Sequence, residues 1–224
     1  MKKMNIEKMS DFFDKRAPGY DKHRELHITT YPELYITMAE KIPFSNKKMH
    51  VLDLGCGTGL ELKWLFEKLP NSTFTCMDIS ANMLEVLTQN YSEKNKKITL
   101  VQSSYLDAEF GKDTYDYVVT VMSFHHLMYD KKLALYKKIR QALKPDGMFI
   151  EADYIVAGKD VEIDCLEYFT RVKHETGIEN SYDYHIDIPL CKETQLDLYY
   201  AAGFREVTEF YNKDDAVGYL CSNT

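Results

Sequence analysis

The stretch VLDLGCGTGLEL, residues 51–62, decides how the rest of the chain is read. An apolar run holding one aspartate passes straight into three glycines, Gly55, Gly57 and Gly59, separated by single residues. Such bare backbone suits a tight turn from a strand into a helix. The first N–H groups of that helix lack an intrahelical partner, and glycines let a ligand approach them. A dinucleotide fingerprint, G-x-G-x-x-G, would need its third glycine where this chain has Leu60. Asp53 argues the same way, since a carboxylate near the turn repels a pyrophosphate and attracts an ammonium group.

Working outward, apolar runs alternate with helix-period segments, the pattern of a mostly parallel sheet covered on both faces. HVLDL (50–54) reads as a strand and GLELKWLFEKL (59–69) as the following helix, stopped by Pro70. TFTCMDI (73–79), ITLVQ (98–102), YDYVVTVMS (115–123) and MFIEADYI (148–155) read as further strands. ANMLEVLTQNY (81–91) and a segment over 131–143 read as the helices between them. KPDG (144–147) supplies a turn. Near the end, TQLDLYYAAGF (194–204) is a helix closed by Gly203, and REVTEFY with AVGYLC form a hairpin. Residues 1–46 look helical, with Ile6, Met9 and Phe13 on one face. Residues 157–190 are aromatic and charged without a clean period, which suits a lid over a pocket.

A chain of 224 residues, 45% hydrophobic and 28% charged, suits one ordinary globular domain. A formal net charge of −7 argues against a nucleic-acid partner, whose binding draws on clustered Lys and Arg. No run has the length of a signal peptide's apolar core or of a membrane span, so no membrane partner and a cytoplasmic location are expected. Cys56, Cys76, Cys165, Cys191 and Cys221 are scattered and odd in number, which suits free thiols in a reducing compartment.

The glycine turn, the aspartate in CMDIS, ANML, YDYVVTVMSFHHL and ALKPDGMFI together resemble the motifs of the class I S-adenosylmethionine-dependent methyltransferases, in the right order across residues 51–154. The resemblance implies an α/β, doubly wound, mostly parallel seven-stranded Rossmann-like sheet within a single domain. Its parts would be an N-terminal helical cap (1–46), a cofactor-binding core (47–156), a lid insertion after strand five (157–190) and a C-terminal helix and hairpin (191–224). It implies S-adenosylmethionine as cofactor, S-adenosylhomocysteine as product and methyl transfer as the activity. Gly55, Cys56 and Gly57 would line the cofactor's amino-acid portion, with Asp53 nearby. Asp78 would accept hydrogen bonds from both ribose hydroxyls. Ile79 and Met83 would pack on the adenine or ribose, and Val121 would line the site. The aspartate that relatives place after strand three is replaced here by Ser104, leaving Ser104, Tyr105 or a backbone carbonyl to meet the adenine amino group. Tyr20 corresponds to an aromatic that closes over the cofactor.

Methyl transfer asks mainly for alignment and exclusion of water. A general base helps where the acceptor is a hydroxyl or ammonium, and SFHHLMYD offers His126 first and His125 second. Glu151, Asp153, His174, His185 and Asp187 are acceptable metal-ligand types, but their spacing matches no known ligand set, and no metal is expected. An acidic pocket would favour a cationic acceptor. No N-P-P-Y-type tetrad follows strand four, so a small molecule is the expected substrate. Two further readings remain open. The chain distantly resembles the carboxy-S-adenosylmethionine synthases, yet Arg171 is the only arginine in the lid region. A non-catalytic cofactor-binding module is the other.

Overall fold

The computed structural model describes residues 6–178 and 181–223. The first five residues of the expected helical cap, Glu179 and Asn180 of the expected lid, and Thr224 lie outside the described residues.

Three short helices, α1 (Met9–Arg16), α2 (Tyr20–His27) and α3 (Glu33–Glu40), lead into β1 (His50–Leu54). The core continues through α4 (Leu62–Lys68), β2 (Thr73–Asp78), α5 (Ala81–Asn90), β3 (Ile98–Gln102), β4 (Tyr115–Val121), α6 (Tyr129–Ala142) and β5 (Leu143–Val156). After it come α7 (Lys159–Thr176), β6 (Leu190–Cys191), α8 (Lys192–Ala202), β7 (Glu206–Lys213) and β8 (Ala216–Ser222). The main path of the sheet runs β3-β2-β1-β4-β5-β8-β7, and the two-residue β6 adds to β5 off that path. β8 pairs antiparallel with both β5 and β7, while the other pairings are parallel. The expected seven-stranded sheet with its terminal hairpin is therefore present, with β6 as a small addition.

Strand alternation sorts the core into two layers. Val51, Val119 and Ile150 face the helices α3, α4 and α5 through Leu34, Met38, Leu62, Leu65, Leu84 and Leu87. Leu52, Leu54, Val118 and Phe149 face α6 and α8 through Leu135, Tyr136, Ile139 and Tyr199. Central strands buried on both faces are consequently apolar throughout, as HVLDL is apart from Asp53. The chain builds outward from β1 in one direction and from β4 in the other. The carboxyl ends of β1 and β4 thus flank the crevice where such sheets bind ligands.

Two segments depart from the sequence expectation. KPDG is an excursion within β5, because Asp113 and Thr114 donate to the Gln141 and Ala142 carbonyls and bring Leu143 opposite Tyr115 before it. Register resumes at Tyr117 opposite Met148. The region expected as an irregular lid holds the 18-residue helix α7. Its buried stripe is narrow, Phe169 and Val172 among it, while Val161, Ile163 and Tyr168 are exposed on other faces and blur the helical period.

Gly203 ends α8 in the left-handed region at φ 98°, its N–H bonded to the Tyr200 carbonyl while that of Phe204 bonds Tyr199. Gly203→Ala should cost about 1 kcal/mol of stability in denaturant unfolding, because a side chain at that φ is strained whatever space surrounds it.

Candidate functional site

The glycine turn is pinned from two sides. Gly55 and Cys56 donate their N–H groups to the Met77 carbonyl at 2.8 and 3.1 Å, which ties the turn to the end of β2. Gly57 donates to Asp78 Oδ2 at 2.8 Å, and Ser80 donates its N–H to Asp78 Oδ1 at 2.8 Å. Ser80 then caps α5 by accepting from the Met83 N–H at 3.1 Å. Gly55, Gly57 and Gly59 have φ of 70°, 50° and 78°. At Gly55 a Cβ would lie 2.1 Å from Ser123 Oγ; at Gly57 it would meet nothing within 4 Å, which leaves the backbone open to a ligand.

The N-terminal helices close over this cradle through polar contacts. Asp14 accepts from the Ser80 hydroxyl at 2.6 Å and from the Asn82 N–H at 3.1 Å, and Asp21 accepts from the Thr58 hydroxyl at 2.5 Å. The resulting cavity is lined by Tyr20, Gly55, Cys56, Gly57, Asp78, Ile79, Met83, Ser104, Tyr105, Val121 and His126, eleven of the thirteen expected site residues. Asp53 does not line it. It sits fully buried behind the turn, with neither carboxylate oxygen hydrogen-bonded among the described residues. Glu61, which the sequence reading missed, does line it. Ser104 Oγ accepts from the Leu106 N–H at 3.2 Å, and Tyr105 donates its hydroxyl to the Ser123 carbonyl at 3.3 Å.

A second cavity of about 520 Å³ adjoins the first, and His125 faces it. Phe13, Tyr20, Met122 and His126 line both, so they form the wall between the two. His125 and His126 lie on the short turn after β4, at the crevice that the topology defines. His125 Nδ1 is 2.5 Å from Asp153 Oδ1, and Asp153 also accepts the N–H groups of Phe124 and Tyr154 at 2.8 Å. His126 Nδ1 lies 3.0 Å from Asp187 Oδ1, and Phe12 stacks on His185 at 3.4 Å between ring centroids. The remaining expected ligand types diverge: Glu151 is held beneath the sheet by the Tyr136 and Tyr199 hydroxyls, and His174 sits on the outer side of α7.

The electrostatics of the two cavities differ. Burial pushes the Asp53 carboxyl well above the usual range, and neighbouring Glu61 adds to that; burial also pushes Glu61 up to about 7. Asp78 is raised by burial as well, against the pull of its backbone hydrogen bonds. Burial and the adjacent His125 hold His126 down to about 4, so its imidazole is neutral at pH 7. The second cavity is lined by Lys15, Arg16, His23 and Arg24 against the single carboxylate of Asp187. This is the reverse of the acidic pocket considered from the sequence.

The doubly wound sheet, the glycine cradle and the carboxylate after β2 define the fold of the class I methyltransferases. Residues 51–147, a little under half of the chain, match the model of the methyltransferase domain family, and together with the fold this supports a class I S-adenosylmethionine-dependent methyltransferase. It is 27% identical to a malonyl-[acyl-carrier protein] O-methyltransferase of Acetivibrio thermocellus over 61% of this chain and 45% of that protein. It is 24% identical to the protein of the same name from Bacillus anthracis over 94% of this chain and 80% of that one. Among solved structures, phosphoethanolamine N-methyltransferase 2 of Haemonchus contortus in complex with S-adenosyl-L-methionine superposes with a TM-score of 0.67 at 19% identity, covering 89% of this chain and 45% of that one. The chain spans 3%, 45% and 51% of the length of three of the curated relatives it matches.

Glu61 binds a proton in the folded state that the unfolded chain has released by about pH 4.5, so its contribution to stability is full below that pH and is lost as pH rises toward 7. The thermal midpoint of the ligand-free protein should fall between pH 5 and 7. Glu61→Gln should flatten that slope in a series of melts.

Proposed function

We propose that this chain transfers the methyl group of S-adenosylmethionine to a small acceptor carrying an anionic group, with S-adenosylhomocysteine as product. The observation that carries this reading is the cradle joined to a second cavity across a single wall that bears His126. The residues present fit the cofactor. Gly57 leaves its backbone open, and each Asp78 oxygen accepts one N–H, which keeps a lone pair on both for a pair of ribose hydroxyls. Gly55, Cys56 and Gly57 would hold the amino-acid portion, with Asp53 and Glu61 behind them. Ile79, Met83 and Val121 would supply apolar surface, and Ser104 or Tyr105 would meet the adenine. Tyr20 would close the cover.

When bound, the cofactor supplies a methyl group on a sulfonium with its leaving group already built in. The protein's own work is then alignment, exclusion of water and activation of the acceptor. Phe13, Tyr20 and Met122 shape the wall, and His126 with His125 is assigned to acceptor activation. Asp153 fixes the ring of His125 through Nδ1 and leaves Nε2 for that task.

Arg24 supports the charge of the acceptor. It is 6% exposed, lines the second cavity, and its Nε and Nη2 have no hydrogen-bond partner among the described residues. Two buried guanidinium nitrogens without a partner carry a desolvation cost, which an anion in the cavity offsets. The curated relatives named for a malonyl group, an acid, agree with that chemistry. A net charge of −7 supports a small molecule over a nucleic acid. Five free cysteines support a reducing cytoplasm, and among the described residues no helix is long and apolar enough to cross a membrane. A carboxy-S-adenosylmethionine synthase finds no support in Arg171, whose guanidinium packs over Tyr168 on α7.

Two titrations test the reading. Asp78→Asn should keep the fold and weaken S-adenosylmethionine binding on the order of 100-fold, the loss of charge-assisted hydrogen bonds worth ~3 kcal/mol; unchanged affinity in calorimetry rules out the ribose assignment. Arg24→Met should raise the KM of a carboxylate-bearing acceptor by at least about tenfold while leaving cofactor affinity alone. A loss of cofactor affinity instead would move Arg24 to the cofactor's own carboxylate.

A further inference from the structure

His125, His126 and Asp187 each turn one ligand atom toward a common point, and these atoms all lie within 4.8 Å of one another. We propose that they form a site for a single borderline divalent transition ion of the Zn²⁺ type, with His185 beside it as a fourth donor.

Asp187 Oδ1 is the hub: it lies 3.0 Å from His126 Nδ1, 3.7 Å from His125 Nε2 and 4.0 Å from His185 Nε2. Donors bound to a tetrahedral zinc ion stand roughly 3.4 Å apart, given metal–ligand bonds of about 2.0–2.2 Å. The distances from Asp187 lie within about 0.6 Å of that value, and the widest separation in the cluster, up to 4.8 Å, has to shorten by up to about 1.4 Å to close on an ion. Nitrogen-rich donors with one carboxylate suit zinc, iron or cobalt and disfavour magnesium or calcium, which take oxygen shells.

Three features outside the donor set strengthen the assignment. His125 is held through Nδ1 by Asp153, the carboxylate–histidine arrangement that orients metal-binding imidazoles and fixes which nitrogen faces the ion. The segment bearing Asp187 is tied to the histidine turn, since Ile188 donates its N–H to the His125 carbonyl at 2.6 Å. His185 is clamped by Phe12 stacked on its ring and by Phe13 at 5.8 Å, edge-on. Sequence spacing hides the site because the donors come from two segments about 60 residues apart, joined only by the return of the chain to β5. The side chain of Asp187 is 56% exposed, so the cluster opens to the second cavity and leaves coordination positions for an acceptor. There the ion takes over acceptor activation from the free imidazoles that ligate it, anchoring and polarising the acceptor's nucleophilic group beside the wall shared with the cradle. That role rests on the methyltransferase reading; the site itself does not.

The test uses the full chain stripped with a chelator and titrated with Zn²⁺ by calorimetry, with Co²⁺ absorption as a second readout. One ion per chain at micromolar or tighter affinity is expected, together with a visible Co²⁺ band that reports nitrogen ligation. Asp187→Asn, a change at a half-exposed side chain, should weaken binding at least about tenfold, and His174→Gln on α7 should leave it unchanged. Failure to bind stoichiometrically, or equal binding by Asp187→Asn, overturns the site. S-adenosylmethionine titrated into the same ion-free protein separates the two proposals. Ion binding without cofactor binding would uphold the site and remove its role in methyl transfer.

Discussion

The carboxylate of Asp78 is the joint on which the cradle depends. One oxygen holds the Gly57 N–H and the other the Ser80 N–H, so one side chain at the end of β2 fixes both the glycine turn after β1 and the start of α5. Each bond is charge-assisted and buried, where such bonds are strongest. The turn is thus set before any ligand arrives. A ribose would find acceptors already aimed, and little reorganisation would be needed on binding.

This arrangement concentrates acid behind the glycines. Asp53, Glu61 and Asp78 are all buried, and burial raises each of them. Such a group is tolerable because burial favours the uncharged forms of Asp53 and Glu61, and because backbone N–H groups satisfy Asp78. It also makes the region a host for positive charge. The neighbouring cavity has the opposite character, with Lys15, Arg16 and Arg24. The two cavities are consequently sorted by sign, which opposes the exchange of their occupants.

Much of this was legible in the sequence because local rules and tertiary need agree there. Apolar runs that must be buried on both faces have few alternatives, so β1 to β4 appear within two residues of where their patterns place them. The glycines declare their turn because only glycine takes those three positive φ values without strain. What was not legible depends on contacts distant along the chain. Glu61 reads as an ordinary helix-face charge until its burial against Asp53 is known. The pairing of His125 with Asp153, and of His126 with Asp187, joins three segments whose spacing carries no period. α7 was obscured by apolar residues on its solvent faces, and the excursion at KPDG by a register that α6 imposes.

The residues just before α1 are stitched to the segment that carries the second cavity's acid. Lys8 bridges Tyr184, and His185 donates its N–H to the Glu7 carbonyl at 3.0 Å. The helices over the cradle and the far wall of the second cavity are therefore tied to each other by backbone contacts. A displacement of either would pull on the other, so the two cavities would open together.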